Sequence, residues 1–598
     1  MSESYQYMPL QGRGSIRVLD LSPGSPESPS IHCNIRSVNI SGKTRPEFEA
    51  VSYTWGEDSP PESILCNTDN ARLLVSPNCH EMLRTLRDKD KVRTLWVDAI
   101  CINQSDVEER NDQVKVMGDI YRIASHTVIF LGGSLKGCPN LFQYLAANDN
   151  SSPPPNDGIV SELERLFTRP WFSRIWVIQE LKNSSSNSRP ATFVCGDQTA
   201  SIGELRDCLS GYAEGTRVIL QFPVPLEVYD EIFTRLLSKC STAAQEMYLL
   251  AAETGLCKSS EPKDRIFALT PLVSNRTPEL ESLIQYNRTI EETLHRFALF
   301  LLSGGGLALL WMIRHPHSKN MPSWVPDWTE CWGKFHWLEQ AQEIMDDFMS
   351  SEKYQDFKTG NPGPAGDPHC PLPQCLVVKG VPYSRIHEFG PPIQINQEDN
   401  PSRIQAVKDW LSTLESIRTG ADRPGWPDSI KQALRRISKV DIYHLFRTSP
   451  NSQLDLIDGQ FVTVGDGEIT NEVSGNIANS CNESRIFITE DGRLGRCTDK
   501  AKPCDLVCLI KGTIQPCVLR EKDHDKWTIV SGECVLLDME RDYPEIGPPV
   551  RGFDPLEIIR QGLGPGDIDP KGGWFYEYMT EVIEDEEKEG KLKEFTIW

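Results

Sequence analysis

Residues 95–102 read Leu-Trp-Val-Asp-Ala-Ile-Cys-Ile, an apolar run broken by one carboxylate, Asp98. Such a run suits a strand covered on both faces, as strands of parallel sheets are. Asn103-Gln104-Ser105 ends it, and Ser105 with Glu108 has capping-box spacing. Val114, Met117, Tyr121 and Ala124 then recur at the period of one helix face. Thr127 to Leu131 is a second apolar run, stopped by Gly132-Gly133. Strand, helix and strand in this order make a βαβ unit, which requires parallel pairing and a right-handed crossover.

The flanking segments extend the pattern. Phe48 to Trp55 is rich in β-branched and aromatic residues and closes on Gly56, which predicts a strand running into a loop. Ser76-Pro77-Asn78 opens a helix, with Asn78 and Glu81 at capping-box spacing. A later helix starts with Thr168 as cap and Pro170 in its first turn, and runs through Leu181. Ala191 to Cys195 reads as one more strand. The alternation predicts an α/β domain with a flavodoxin-like parallel sheet over residues 31–203, behind a flexible tail at 1–30. A helical region (204–330) and a Pro- and Gly-rich linker (331–374) follow. Residues 375–545 form a mixed α/β, strand-rich region with a helical insertion near 401–440, and 546–598 an acidic tail.

Charge and leader signals narrow the function. The 598 residues carry 85 acidic and 62 basic side chains, a net charge of −23, with no long basic run. This argues against nucleic acid as a partner, because phosphate binding draws on clustered Lys and Arg. Met1 to Ser30 lacks an apolar signal core, and Leu307 to Ile313 is too short to span a bilayer. A cytoplasmic protein with reduced thiols and no membrane span is expected. Ser41-Gly-Lys-Thr44 resembles the end of a phosphate loop, but the first required glycine is Ser37. His369-Cys370 with Cys375 lacks paired zinc-ligand spacing, so no metal site is expected.

Three segments carry the chemistry. Ser52 and Trp55 end the first strand, Asp98 lies in the second, and Trp176 and Glu180 share a helix face. In open parallel sheets the crevice beyond the strand C-termini is the usual ligand site. Aromatic rings beside a lone carboxylate suit a flat, cationic, ribose-bearing ligand: rings stack on the base and the carboxylate stabilises charge developing on the sugar. A duller reading stands beside this one. Trp55, Trp96, Trp171 and Trp176 serve as core anchors, Asp98 caps a loop or meets an arginine, and Glu180 pairs with Arg174 or Arg169.

The same segments resemble the fungal heterokaryon-incompatibility (HET) domain proteins. The matching residues are Ala50-Val-Ser-Tyr-Thr-Trp-Gly56, Leu95 to Gln104 with Glu109-Arg110, Gln113-Val114, Met117, Ile120-Tyr121 and Ala124, and Arg169-Pro-Trp-Phe-Ser-Arg-Ile-Trp-Val-Ile-Gln-Glu-Leu181. They span about a quarter of the chain. Weaker likenesses follow at Lys263 to Leu269, Pro322 to Trp328 and Leu506 to Glu533. The resemblance implies fungal non-self recognition, a counterpart of innate immunity, ending in programmed cell death. HET domains are in turn similar to the Toll/interleukin-1 receptor (TIR) fold, some members of which cleave NAD+ with a glutamate on such a helix. That likeness implies Glu180 as catalytic residue, Ser52, Trp55, Asp98 and Trp176 as ligand-binding residues, and NAD+ as substrate with no cofactor required. It equally implies a non-catalytic module that self-associates and answers to a protein activator.

Overall fold

The computed structural model describes most of residues 4–210, 240–329, 357–359, 372–390, 454–463, 484–536 and 574–598, with short gaps. The proposed helical insertion at 401–440, His369-Cys370 and most of the 331–374 segment lie outside the described residues. The chain divides into two compact units. The first takes Met1–Thr293 with Trp328–Trp332, the second Leu294–Asp327 with Gly333–Trp598.

The first unit is built on a nine-stranded sheet. Its strands are β1 (Ser15–Leu21), β2 (His32–Asn39), β3 (Glu49–Tyr53), β4 (Glu62–Cys66), β5 (Ala71–Val75), β6 (Arg93–Trp96), β7 (His126–Phe130), β8 (Thr192–Cys195) and β9 (Gln198–Ser201). Its helices are α1 (Pro77–Leu86), α2 (Asp98–Cys101), α3 (Val107–Ile123), α4 (Leu141–Ala147), α5 (Asp157–Phe167), α6 (Trp176–Ser184), α7 (Ile202–Ser210), α8 (Ala243–Glu253), α9 (Asp264–Phe267) and α10 (Pro278–Glu281). The sheet order is β5-β4-β2-β1-β6-β3-β7-β8-β9. It is mixed rather than purely parallel. β6, β3, β7 and β8 pair in parallel, while β1 runs antiparallel to β2 and β6, and β9 antiparallel to β8. Counted in chain order, the parallel core reads second-first-third-fourth, which puts a topological switch point between β3 and β7.

The predicted flexible tail contains β1. Both faces of this strand are covered, and Arg17 within it is 2% exposed. The arginine disguises a core strand in the sequence. Its charge is met by Glu109 of α3 at 2.6 and 2.9 Å and by the carbonyl of Cys101 at 3.1 Å. The strand predicted through Ile102 stops at Trp96, because Asp98 opens α2 and its own carboxylate accepts the Ala99 N–H at 2.7 Å. Helix starts also shift. Ser76, not Asn78, caps α1 with Pro77 at its first position, and Asp106, not Ser105, caps α3. Thr168 ends α5; the helix predicted from it divides into a 3₁₀ turn, Pro170–Ser173, and α6.

Helix α11 (Ile290–Gly305) continues as a 3₁₀ stretch to Met312. Ile290–Met312 is long and apolar enough to cross a membrane by length and composition, yet 72% of its apolar window is buried, as in a core helix.

The second unit is strand-rich: β10 (Phe357–Thr359), β11 (Leu376–Phe389), β12 (Leu454–Ile457), β13 (Gln460–Thr463), β14 (Ser484–Thr489), β15 (Leu494–Thr498), β16 (Leu506–Ile510), β17 (Cys517–Asp523), β18 (Lys526–Ser531), β19 (Val535–Leu536) and β20 (Lys593–Ile597), with α12 (Trp574–Lys588). β11, β16, β17, β18 and β20 pair in a closed ring, which removes free edges. Gly380 marks a crowded point of that ring: an added Cβ would lie 2.6 Å from the Leu509 carbonyl oxygen. The predicted acidic tail thus holds a helix and a core strand. Phe595 and Ile597 alternate inward after an acidic, Lys-rich stretch that ends at Glu594, which hid them in the sequence.

Candidate functional site

The site forms where β3, β6 and α6 meet, at the C-terminal end of the parallel strands. Ser52 is the penultimate residue of β3 and is 1% exposed. Its hydroxyl donates to the carboxylate of Glu180, itself 3% exposed, and accepts the indole N–H of Trp171 at 2.7 Å. Trp171 comes from the 3₁₀ turn that precedes α6, so Pro170 and the helix start together aim its ring under β3. Burial raises the Glu180 carboxyl to about 6, partly offset by Arg174 and by the Ser52 hydroxyl.

Trp55 lies two residues beyond β3 and is 45% exposed. Its indole N–H donates to Asp98 at 2.9 Å. Gly56 follows with φ +91°, a conformation that costs glycine little. The preceding turn is pinned by Asn78, whose amide donates to the Thr54 carbonyl at 3.1 Å. Burial also pushes the Asp98 carboxyl up, against the pull of Arg174 and the Trp55 N–H. Arg174 is the shared cation of the two carboxylates; it donates to the Tyr53 carbonyl at 2.5 Å and draws both pKa values down.

Four of the five sequence-predicted residues gather here as two pairs, Ser52 with Glu180 and Trp55 with Asp98. Trp176 does not join them. Its indole N–H donates to Asp264 of α9 at 2.9 Å, and the tryptophan beside Glu180 is Trp171. Glu180 also does not pair with Arg169, which donates to the Leu131 carbonyl. Sequence reasoning treated Trp171 only as a core anchor and gave Asp264 no role. Their signal was proximity in the matching blocks, but the partner of each indole depends on the fold. Gln179, beside Glu180, is fully buried, and its side-chain amide has no hydrogen-bond partner among the described residues.

The arrangement offers two functions in one place. An exposed indole held by a carboxylate is a stacking platform for a flat ring. A buried carboxyl with a pKa near 6 carries or releases a proton near neutral pH and stabilises adjacent positive charge. Among the described residues no group of three or more His, Cys, Asp or Glu side chains is arranged to hold a metal ion.

Residues 48–180 match the family described as heterokaryon incompatibility protein (HET). The match opens just before β3 and closes on Glu180. The chain is also similar to heterokaryon incompatibility protein 6, OR allele, from Neurospora crassa, at 26% identity over 404 residues. That alignment covers 52% of this chain and 58% of the relative, so it spans less than two thirds of the relative's length. No solved structure matches the chain. Both findings are likenesses of part of this chain to heterokaryon incompatibility proteins.

Proposed function

We propose that this chain acts in fungal non-self recognition, and that its first unit is a TIR-like domain whose output is NAD+ cleavage leading to cell death. The observation that carries the reading is the buried Glu180 carboxyl, raised to about 6, at the end of the first strand of the parallel core. The second-first-third-fourth strand order, with its switch point beside β3, supports it.

In this mechanism Trp55 stacks on a flat ring of the ligand while Asp98 holds its indole. The Ser52 hydroxyl exchanges its bond to Glu180 for one to the ribose, freeing the carboxylate. The N-glycosidic bond breaks, its electron pair leaves with neutral nicotinamide, and Glu180 stabilises the oxocarbenium-like ribosyl centre. Water adds to that centre and a proton is released.

The test is nicotinamide release from NAD+ by the purified full chain at high concentration. Turnover that Glu180→Ala removes, with the circular dichroism spectrum retained, is the expected result. Turnover unchanged in Glu180→Ala overturns the mechanism. A second reading, a non-catalytic assembly module, is favoured by one fact: Glu180 is closed off and hydrogen-bonded rather than open to solvent. On that reading the folded chain has no turnover, and Glu180→Ala still self-associates and still kills.

A further inference from the structure

We propose that the second unit carries a binding site for a small phosphate-bearing anion, independent of the Glu180 site. A cleft of about 480 Å³ is lined by Arg485, Asp499, Lys500, Ala501, Lys502 and Arg520. Its cations come from three elements: Arg485 from β14, Lys500 and Lys502 from the β15–β16 loop, and Arg520 from β17. The chain as a whole carries a net charge of −23, so four cations on one concavity run against the background.

The loop is preset. Asp505, 4% exposed, takes both Arg520 Nε and Nη2, at 2.9 and 2.7 Å, and also accepts the Lys502 backbone N–H at 2.7 Å. Arg520 donates further to the Lys500 carbonyl at 3.1 Å. The loop's first turn is closed by the Ala501 N–H on the Thr498 carbonyl at 3.3 Å. The cleft wall therefore needs little reordering when an anion arrives, which limits the entropic cost of binding.

The charges then decide the ligand. Arg520 is paired with Asp505, and Lys500 with Asp499 at 2.9 Å. Arg485 has no carboxylate partner among the described residues. Its Nε donates to the Gly390 carbonyl at 3.1 Å, and its guanidinium lies 5.2 Å from the Phe389 ring centroid. Lys502 is exposed, and its ammonium has no partner among the described residues. Two cations are left unneutralised around the cleft. A phosphate monoester, with close to two negative charges at neutral pH and three acceptor oxygens, meets that demand. A cleft this small holds one such group with its immediate substituent and not a nucleic-acid duplex.

Binding of AMP, inorganic pyrophosphate and adenosine to the full chain is measured by titration calorimetry, for the wild type and for Arg485→Ser/Lys502→Ser. Neither substituted residue pairs with a carboxylate of the cleft, so the double variant is expected to fold, checked by circular dichroism. If it does not, Lys502→Glu alone, on an exposed loop side chain, replaces it. The expected result is saturable binding of AMP or pyrophosphate, none of adenosine, and at least tenfold weaker binding by the variant. Vesicles with and without a phosphoinositide, beside the free inositol phosphate, separate a lipid headgroup from a soluble ligand. No saturable binding of any of these phosphates by the wild type, or equal affinity in the variant, overturns the proposal.

Discussion

Glu180 and Ser52 form a buried carboxyl–hydroxyl pair, and that geometry has a signature in pH. The folded pKa of Glu180 is about 6 against an ordinary 4.5. A raised carboxyl pKa means that the folded state prefers the proton. Stability from this group is fully present below pH 4.5 and lost as pH rises through 6, by about 2 kcal/mol in total. Glu180→Gln is expected to flatten that part of the profile, so the urea-derived stability difference between variant and wild type changes between pH 4 and pH 7. A parallel profile would mean that Glu180 titrates normally. Trp171→Phe is expected to cost about 1–3 kcal/mol, through loss of the N–H that the buried Ser52 oxygen accepts; chemical denaturation measures it. The residue types of this pair were legible in the sequence. Its third member was not, because Trp171 and Trp176 look alike as rings on either side of a short turn, and only the fold decides which indole faces Ser52.

Elements carry the site through two supports outside the matched segment. One is β1. Breaking its buried ion pair by Arg17→Ala leaves Glu109 with an uncompensated charge, and a loss of about 3–5 kcal/mol is expected in denaturant unfolding. The other is the segment from Cys257 to Tyr286. Ile175 donates its N–H to the Lys258 carbonyl at 3.0 Å, and Lys258 returns one to Ser173 at 2.6 Å. Asp264 accepts from Trp176 and, at 2.6 Å, from Tyr286, whose ring lies 3.7 Å from the Arg110 guanidinium carbon. A double-mutant cycle of Trp176→Phe with Asp264→Asn should give a coupling free energy of about 1 kcal/mol or more; additive effects would contradict this support. β7 was readable because its Thr127 to Phe130 stretch is buried on both faces, which leaves few polar positions. Elements with ionic or alternating residues, β1 and β20 above all, were not: the Arg17 charge of β1 is met by Glu109, distant in sequence, and β20 carries exposed Lys593 and Glu594 before its buried Phe595 and Ile597. Caps moved by a residue or two because Ser, Asp and Asn compete for the same role within a few positions.

At the scale of the molecule, the matched segment is not a self-contained body. A fragment ending at residue 212 lacks the Cys257 to Tyr286 support, leaving Ser173, Ile175 and the Trp176 indole without the Lys258 and Asp264 partners they have in the full chain. It is expected to be digested rapidly in limited proteolysis, whereas one ending at Thr293 resists; equal susceptibility would show that the support is dispensable. The second unit poses a different problem, of order in time. Its ring of strands opens with β11 and needs β20, more than 200 residues later, to lie between β11 and β18. A ribosome adding about 5–20 residues per second takes tens of seconds, at the slower end, to cover that interval. The first unit has left the exit tunnel by then, while the Leu376–Gly380 part of one edge of β11 waits unpaired. Nascent chains stalled before residue 593 would therefore present an open stretch of strand to chaperones, an exposure that the stability of the finished fold does nothing to shorten.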